Sequence, residues 1–166
     1  MRKYLVSLSS LILFFSCIGG KSVPVQLYTL NVVGESSSSI NVVQIRAGAK
    51  IHQRMNLQNG ELLELREFER WQDSPHRILE TEMKNYFALG GDELRGELNE
   101  FVFDLNDMQA KISVDFIQNK ESGDQHFRLK STQGFEKING ESLAKAMSLA
   151  VQDLFINLDK KITEGK

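Results

Sequence analysis

Apolar and polar positions alternate along much of this chain, and the rhythm changes where the elements change. From Val25 to Val32 the pattern predicts a first strand, with Val25 and Leu27 on one side and Tyr28 and Leu30 on the other. Gly34, Glu35 and the serine run Ser36–Ser39 predict a flexible loop; the serines lack the glycines and lysine of a phosphate-binding loop. Ile40 to Ile45 is apolar enough for a central strand, and Arg46 to Lys50, with Gly48, reads as irregular. Ile51, Met55 and Leu57 predict a strand or a loop leading into one. Asn59-Gly60 predicts a hairpin turn, since both residues tolerate positive φ, and Glu61 to Phe68 is the returning strand.

The clearest switch from strand to helix follows. Asp73 or Ser74 offers a side-chain oxygen as N-cap, and Pro75 falls in the first turn, where its missing N–H costs nothing. Ile78, Leu79, Met83, Tyr86 and Phe87 recur at helical spacing, and Gly90-Gly91 predicts the helix end. Trp71, the single tryptophan, stands at the corner, where its ring would pin the helix start to a sheet. Beyond it, Phe101 to Leu105, Lys111 to Phe116 and His126 to Lys130 alternate with period two, with turns at Asn106-Asp107 and Glu121–Asp124. Asn139 caps a last amphipathic helix from about Gly140 to Ile162, whose stripe includes Leu143, Met147, Leu154 and Leu158. The expected fold is α+β: one domain, a mixed or largely antiparallel sheet of about six strands packed with two main helices.

Composition adds a compartment. Arg2 and Lys3 precede an apolar stretch, Leu5 to Phe15, too short for the roughly 20 residues that span a bilayer. That is the layout of a secretory signal peptide, and its end, Leu13-Phe14-Phe15-Ser16-Cys17, resembles a bacterial lipobox. Residues 1–16 are then a lipoprotein signal peptide, 17–23 a lipidated tether and 24–166 the folded domain. The alternative is an ordinary signal peptide with Cys17 near the cut. Cys17 is the single cysteine, so no intrachain disulfide forms, and about 140 residues suffice to hold a domain by its core. The net charge of −2 gives no basic face for nucleic acid.

Candidate chemistry is sparse. His52, His76 and His126 fall on different elements, none paired at metal-ligand spacing. No Gly-x-Ser-x-Gly elbow occurs. Glu61, Glu64, Glu67 and Glu69 flank a strand, where solvated charge explains them as well as acid–base work does. No enzyme, metal or cofactor is expected. Arg70 and Trp71 carry two readings: a structural corner, with Arg70 on nearby carbonyls, or a weak partner-binding anchor.

The strand ending in Arg70-Trp71, followed by Asp73, Pro75 and an amphipathic helix, is similar to the ABC-type transport auxiliary lipoprotein family. These lipoproteins accompany MCE (mammalian cell entry) lipid-transport systems. The Tyr28-Thr29-Leu30 strand, the run from Ile51 through Trp71, the antiparallel stretch Phe101–Leu129 and the final helix match as well. One departure stands out: the family commonly has a proline near the position of Ala49, and this sequence has none there. The resemblance implies a non-catalytic auxiliary lipoprotein on the periplasmic side of the envelope, helping to move lipids or other hydrophobic molecules. Its implied partners are an MCE protein and the ABC permease and ATPase, with the membrane contacted through the lipid on Cys17 and a lipid ligand as a further reading. The absence of Asp after Cys17 implies the outer membrane by similarity to enteric sorting rules. The alternative is an outer-membrane assembly or envelope-scaffolding lipoprotein without a transporter.

Overall fold

In a computed structural model that describes residues 23–164, one long strand organises the rest. The elements in order are β1 (Gln26–Tyr28), β2 (Ser39–Ala47), β3 (Arg54–Asn59), β4 (Leu62–Trp71), α1 (Pro75–Tyr86), β5 (Ala88–Asp104), β6 (Gln109–Lys120), β7 (Gly123–Gly134) and α2 (Gly140–Glu164). β5 forms the spine of a seven-stranded mixed sheet, in the order β1-β4-β3-β5-β6-β7 with β2 also on β5. Along one edge of β5, β2 runs parallel to its first half and β3 parallel to its last residues. Along the other, β6 and then β7 pair antiparallel. β4 returns antiparallel on β3, and β1 lies parallel to β4. The fold is α+β.

Both helices pack on one face of this sheet. The period of two in β5 and β6 sends Leu94, Leu98, Ile112, Val114 and Phe116 into that layer, where α2 contributes Leu143, Met147, Leu154 and Phe155. α1 adds Ile78, Leu79 and Met83. Tyr86 and Phe87, at the end of α1, meet the Phe155 ring with centroids 5.2 and 5.9 Å away, which joins the two helices. Gly96 sits where a Cβ would come within 2.8 Å of Ile45, so β2 and β6 can close over β5.

The structure departs from the sequence expectations at four places. α1 ends at Tyr86, and Gly90-Gly91 belong to the start of β5. Their φ values of 124° and 73° form an irregular entry to the strand, and a Cβ on Gly91 would lie 2.4 Å from the Ser39 carbonyl oxygen. β1 is short because Gln72 N–H donates to Tyr28 O and the chain then leaves the sheet for α2. There the segment through the serine loop is tied to the helix: Ser36 Oγ donates to Asp159 at 2.7 Å, Asn31 N–H to Ser148 Oγ at 3.0 Å, and Gln152 Nε2 to Val33 O at 3.1 Å. Finally, β2 has β5 as its one strand partner among the described residues; α1 covers it, and Glu80 Oε2 accepts from Ile45 N–H at 2.9 Å. A carboxylate from the helix thus satisfies a donor that a neighbouring strand would otherwise take.

The helix starts differ as well. Ser74 holds the N-cap position of α1 with Pro75 at the first turn, but no side chain caps it; Asp73 Oδ1 accepts from Ser74 N–H instead. At α2, Asn139 Oδ1 accepts from Ser142 N–H at 2.9 Å, as its sequence position predicts. Glu69 Oε1 accepts from Gly140 N–H at 3.0 Å, so a strand carboxylate serves the same helix end. A Cβ on Gly140 would lie 2.3 Å from the Tyr28 ring, so a side chain there would push the ring aside.

Candidate functional site

A concavity of about 640 Å³ lies on β2, β5, β6 and β7. Register explains its floor. Arg46 pairs with Glu97, Glu97 with Asp115 and Asp115 with Arg128, giving one row of charges across four strands. Gln44, Arg95, Ile117 and His126 form the next row, two residues along each strand and therefore on the same face. These side chains alternate with the core residues, so this is the sheet's water-facing side.

Two cations balance two anions in the row, and Asp115 and Arg128 are the two that pair. Two carboxylates, Glu97 and Asp115, stand on adjacent strands, an arrangement that repels unless cations flank it. Arg128 grips Asp115 with both Nε and Nη2, the second contact at 2.5 Å, and Asn99 Nδ2 donates to Asp115 Oδ2 at 2.9 Å. The Arg128 hydrogen bond holds the Asp115 carboxyl below its ordinary range, so it stays ionised and acceptor-only. His126 faces Ile117 across the strand pair, which offers no proton acceptor. The floor holds no serine, threonine or cysteine to act as a nucleophile. Two rows of largely polar and charged groups, with Ile117, Phe116 and Phe127 also lining the concavity, make a surface suited to binding an extended partner.

The sequence-predicted sites fare as follows. Cys17 lies outside the described residues. Trp71 has no exposed surface: its ring meets Phe101 edge-on at 5.2 Å and stacks on Phe103 at 6.3 Å. The buried ring fits the structural corner, the first of the two readings. Arg70 Nε donates to the Glu67 carbonyl at 3.3 Å, the local structural contact. Glu69 is drawn to Arg66 and the α2 N-terminus, leaving Glu61 in the turn and Glu64 and Glu67 on β4 as exposed charges. His52 and His126 are exposed, and His76 is half-buried on α1; the three are not brought together. Among the described residues no group of three or more His, Cys, Asp or Glu is placed to hold a metal ion. None of the described helices is long and apolar enough to cross a membrane.

The row Arg46–Glu97–Asp115–Arg128 was beyond sequence reasoning, because β2 meets β5 in parallel through a long connection whose register no turn fixes. The half formed by β5, β6 and β7 had a signal in the period-two alternation and the two turns.

Comparison with known proteins places this geometry. No family model matches the chain, and no curated protein matches it. Solved structures do. One, described as an uncharacterized protein, superposes with a TM-score of 0.70 at 11% identity, covering 84% of this chain and 99% of its own. Another, a Xanthomonas campestris protein of the family DUF330, gives a TM-score of 0.65 at 13% identity, covering 86% of this chain and 99% of its own. The shared property is the fold. At such identities it extends to the whole domain and to nothing finer, and the groove residues named above belong to this chain.

Proposed function

We propose that this protein is a lipid-anchored, non-catalytic auxiliary component of an ABC-linked MCE transport system, acting on the periplasmic side of the envelope on lipids or other hydrophobic molecules. The observation that carries the proposal is the order of parts along the chain. A short apolar stretch ends at the single cysteine, Cys17, and a folded domain follows within a few residues, with β1 starting at Gln26. The Arg70-Trp71 corner on which the family resemblance rests is the junction of β4 and α1, and it packs on the spine strand through Phe101 and Phe103. The charge row, with Asp115 already held by Arg128 and Asn99, favours a docking surface over a reaction centre.

In this reading the lipid on Cys17 restricts the domain to one membrane surface and the sheet meets a protein partner. More than one acyl chain gives stable anchoring at about 0.8 kcal/mol per buried CH₂. The test is purification of the full-length protein from detergent-solubilised membranes, followed by identification of what comes with it. The expected result is an MCE protein together with an ABC permease and ATPase. Recovery from the membrane without any of these would overturn the transport role and favour an envelope-scaffolding lipoprotein.

A further inference from the structure

We infer that the tip of the β3–β4 hairpin rests in the headgroup layer of the same bilayer that holds the anchor, with a zwitterionic phospholipid surface as its partner. The inference builds on the proposed acylation of Cys17 and concerns how the domain is oriented once anchored.

Strand direction supplies the first argument. β1 is parallel to β4, with Gln26 opposite Glu69, so the chain upstream of β1 enters from the end of the sheet where β4 begins. That end is the hairpin tip, where Leu62 pairs with Asn59 and Leu63 with Gln58. Leu62 is 67% exposed and Val23 56% exposed, and Val25 and Leu27 continue the exposed apolar positions down β1. Isolated exposed leucines are ordinary, but adjacent ones at a turn, pointing to opposite faces, cannot both be covered by the sheet that carries them.

Reach supplies the second. Five residues, Ile18 to Ser22, separate Cys17 from Val23. Six Cα–Cα steps span at most roughly 20 Å. Continuing the β1–β4 offset sets Val23 beside Arg66, and Leu62 is four positions farther along, about 13 Å at strand rise. An anchor at Cys17 therefore lies no more than about 7 Å beyond the tip, which holds the bilayer close to it. Leu89, 92% exposed, is excluded by the same measure. It stands near the opposite end of β5, some 50 Å of strand from Asp104, which pairs beside the hairpin.

Charge selects the surface. Glu61 and Glu64 flank the two leucines and are exposed, so an anionic leaflet would repel the tip where an uncharged one accepts it.

The test uses the full-length acylated protein in phosphatidylcholine vesicles that contain a headgroup-attached quencher. Because acylation consumes the one native thiol, Glu61→Cys gives a single labelling site at the tip and Ser122→Cys a single site at the β6–β7 turn, on the opposite end of the sheet. Both positions are exposed, so neither change disturbs the core. The expected result is quenching several-fold stronger at position 61 than at 122. Weak, equal quenching at both, in protein whose mass shows acylated Cys17, would overturn the orientation while leaving the anchor intact. Protein that lacks acyl mass and does not float with vesicles would overturn the anchor and the orientation together.

Discussion

The two faces of the sheet are made by the same strands, yet they are held in different ways. On the helix-covered face, Trp71, Phe103, Phe116 and Phe155 are fully buried and each fixes its neighbours by shape. On the water-facing side, the groove floor is a row of ions whose order is set by register: Arg46, Glu97, Asp115 and Arg128. Packing makes the first face intolerant of change. The second rests on exposed ion pairs, which contribute little to stability and leave the surface adaptable. One side holds the fold, and the other is available for a partner.

The contrast is sharpest at Trp71. Trp71→Ala removes a ring wedged between Phe101 and Phe103 and is expected to cost about 3–5 kcal/mol, read as a lower urea midpoint. An unchanged midpoint would mean that the dry face is not what holds the domain. Gly91→Ala comes next. It forces a side chain into a positive-φ position against the Ser39 carbonyl and should cost about 1–3 kcal/mol in the same measurement. Asp104 tests the wet face by pH. The Lys111 hydrogen bond holds its carboxyl below the ordinary range, so the folded protein takes up that proton less readily than the unfolded chain. Its stabilisation is present above the unfolded carboxylate range and is lost as pH falls below about 4. Asp104→Asn should flatten that part of the acid limb in melts recorded between neutral and acid pH. Arg128→Ala is expected to do least: a melting shift within replicate scatter, despite its two contacts to Asp115.

The same division decides what could be read from the chain. Period two in β5 to β7 and the Asn139 cap are local signals that appear where the sequence puts them, and the first hairpin turns one residue later than Asn59-Gly60, at Gly60-Glu61. Gly90-Gly91 misleads because two glycines mark a helix end and a strand irregularity equally well, and only the approach of Ser39 separates them. Glu69 reads as a solvated acid; its role at the α2 N-terminus, like that of Glu80 on the β2 edge, depends on elements far away in the chain. The serine segment reads as a loop because its fastenings lie more than a hundred residues downstream on α2. The charge row is hidden for the same reason.

The central claim is that Cys17 carries the lipid that holds an independently folded domain at the membrane. Cys17→Ala in the full chain, followed by fractionation, a salt wash and a thermal melt, tests it most directly. The account predicts a variant released from the membrane with an unchanged melting curve. A variant that stays with the membrane after the wash would contradict it.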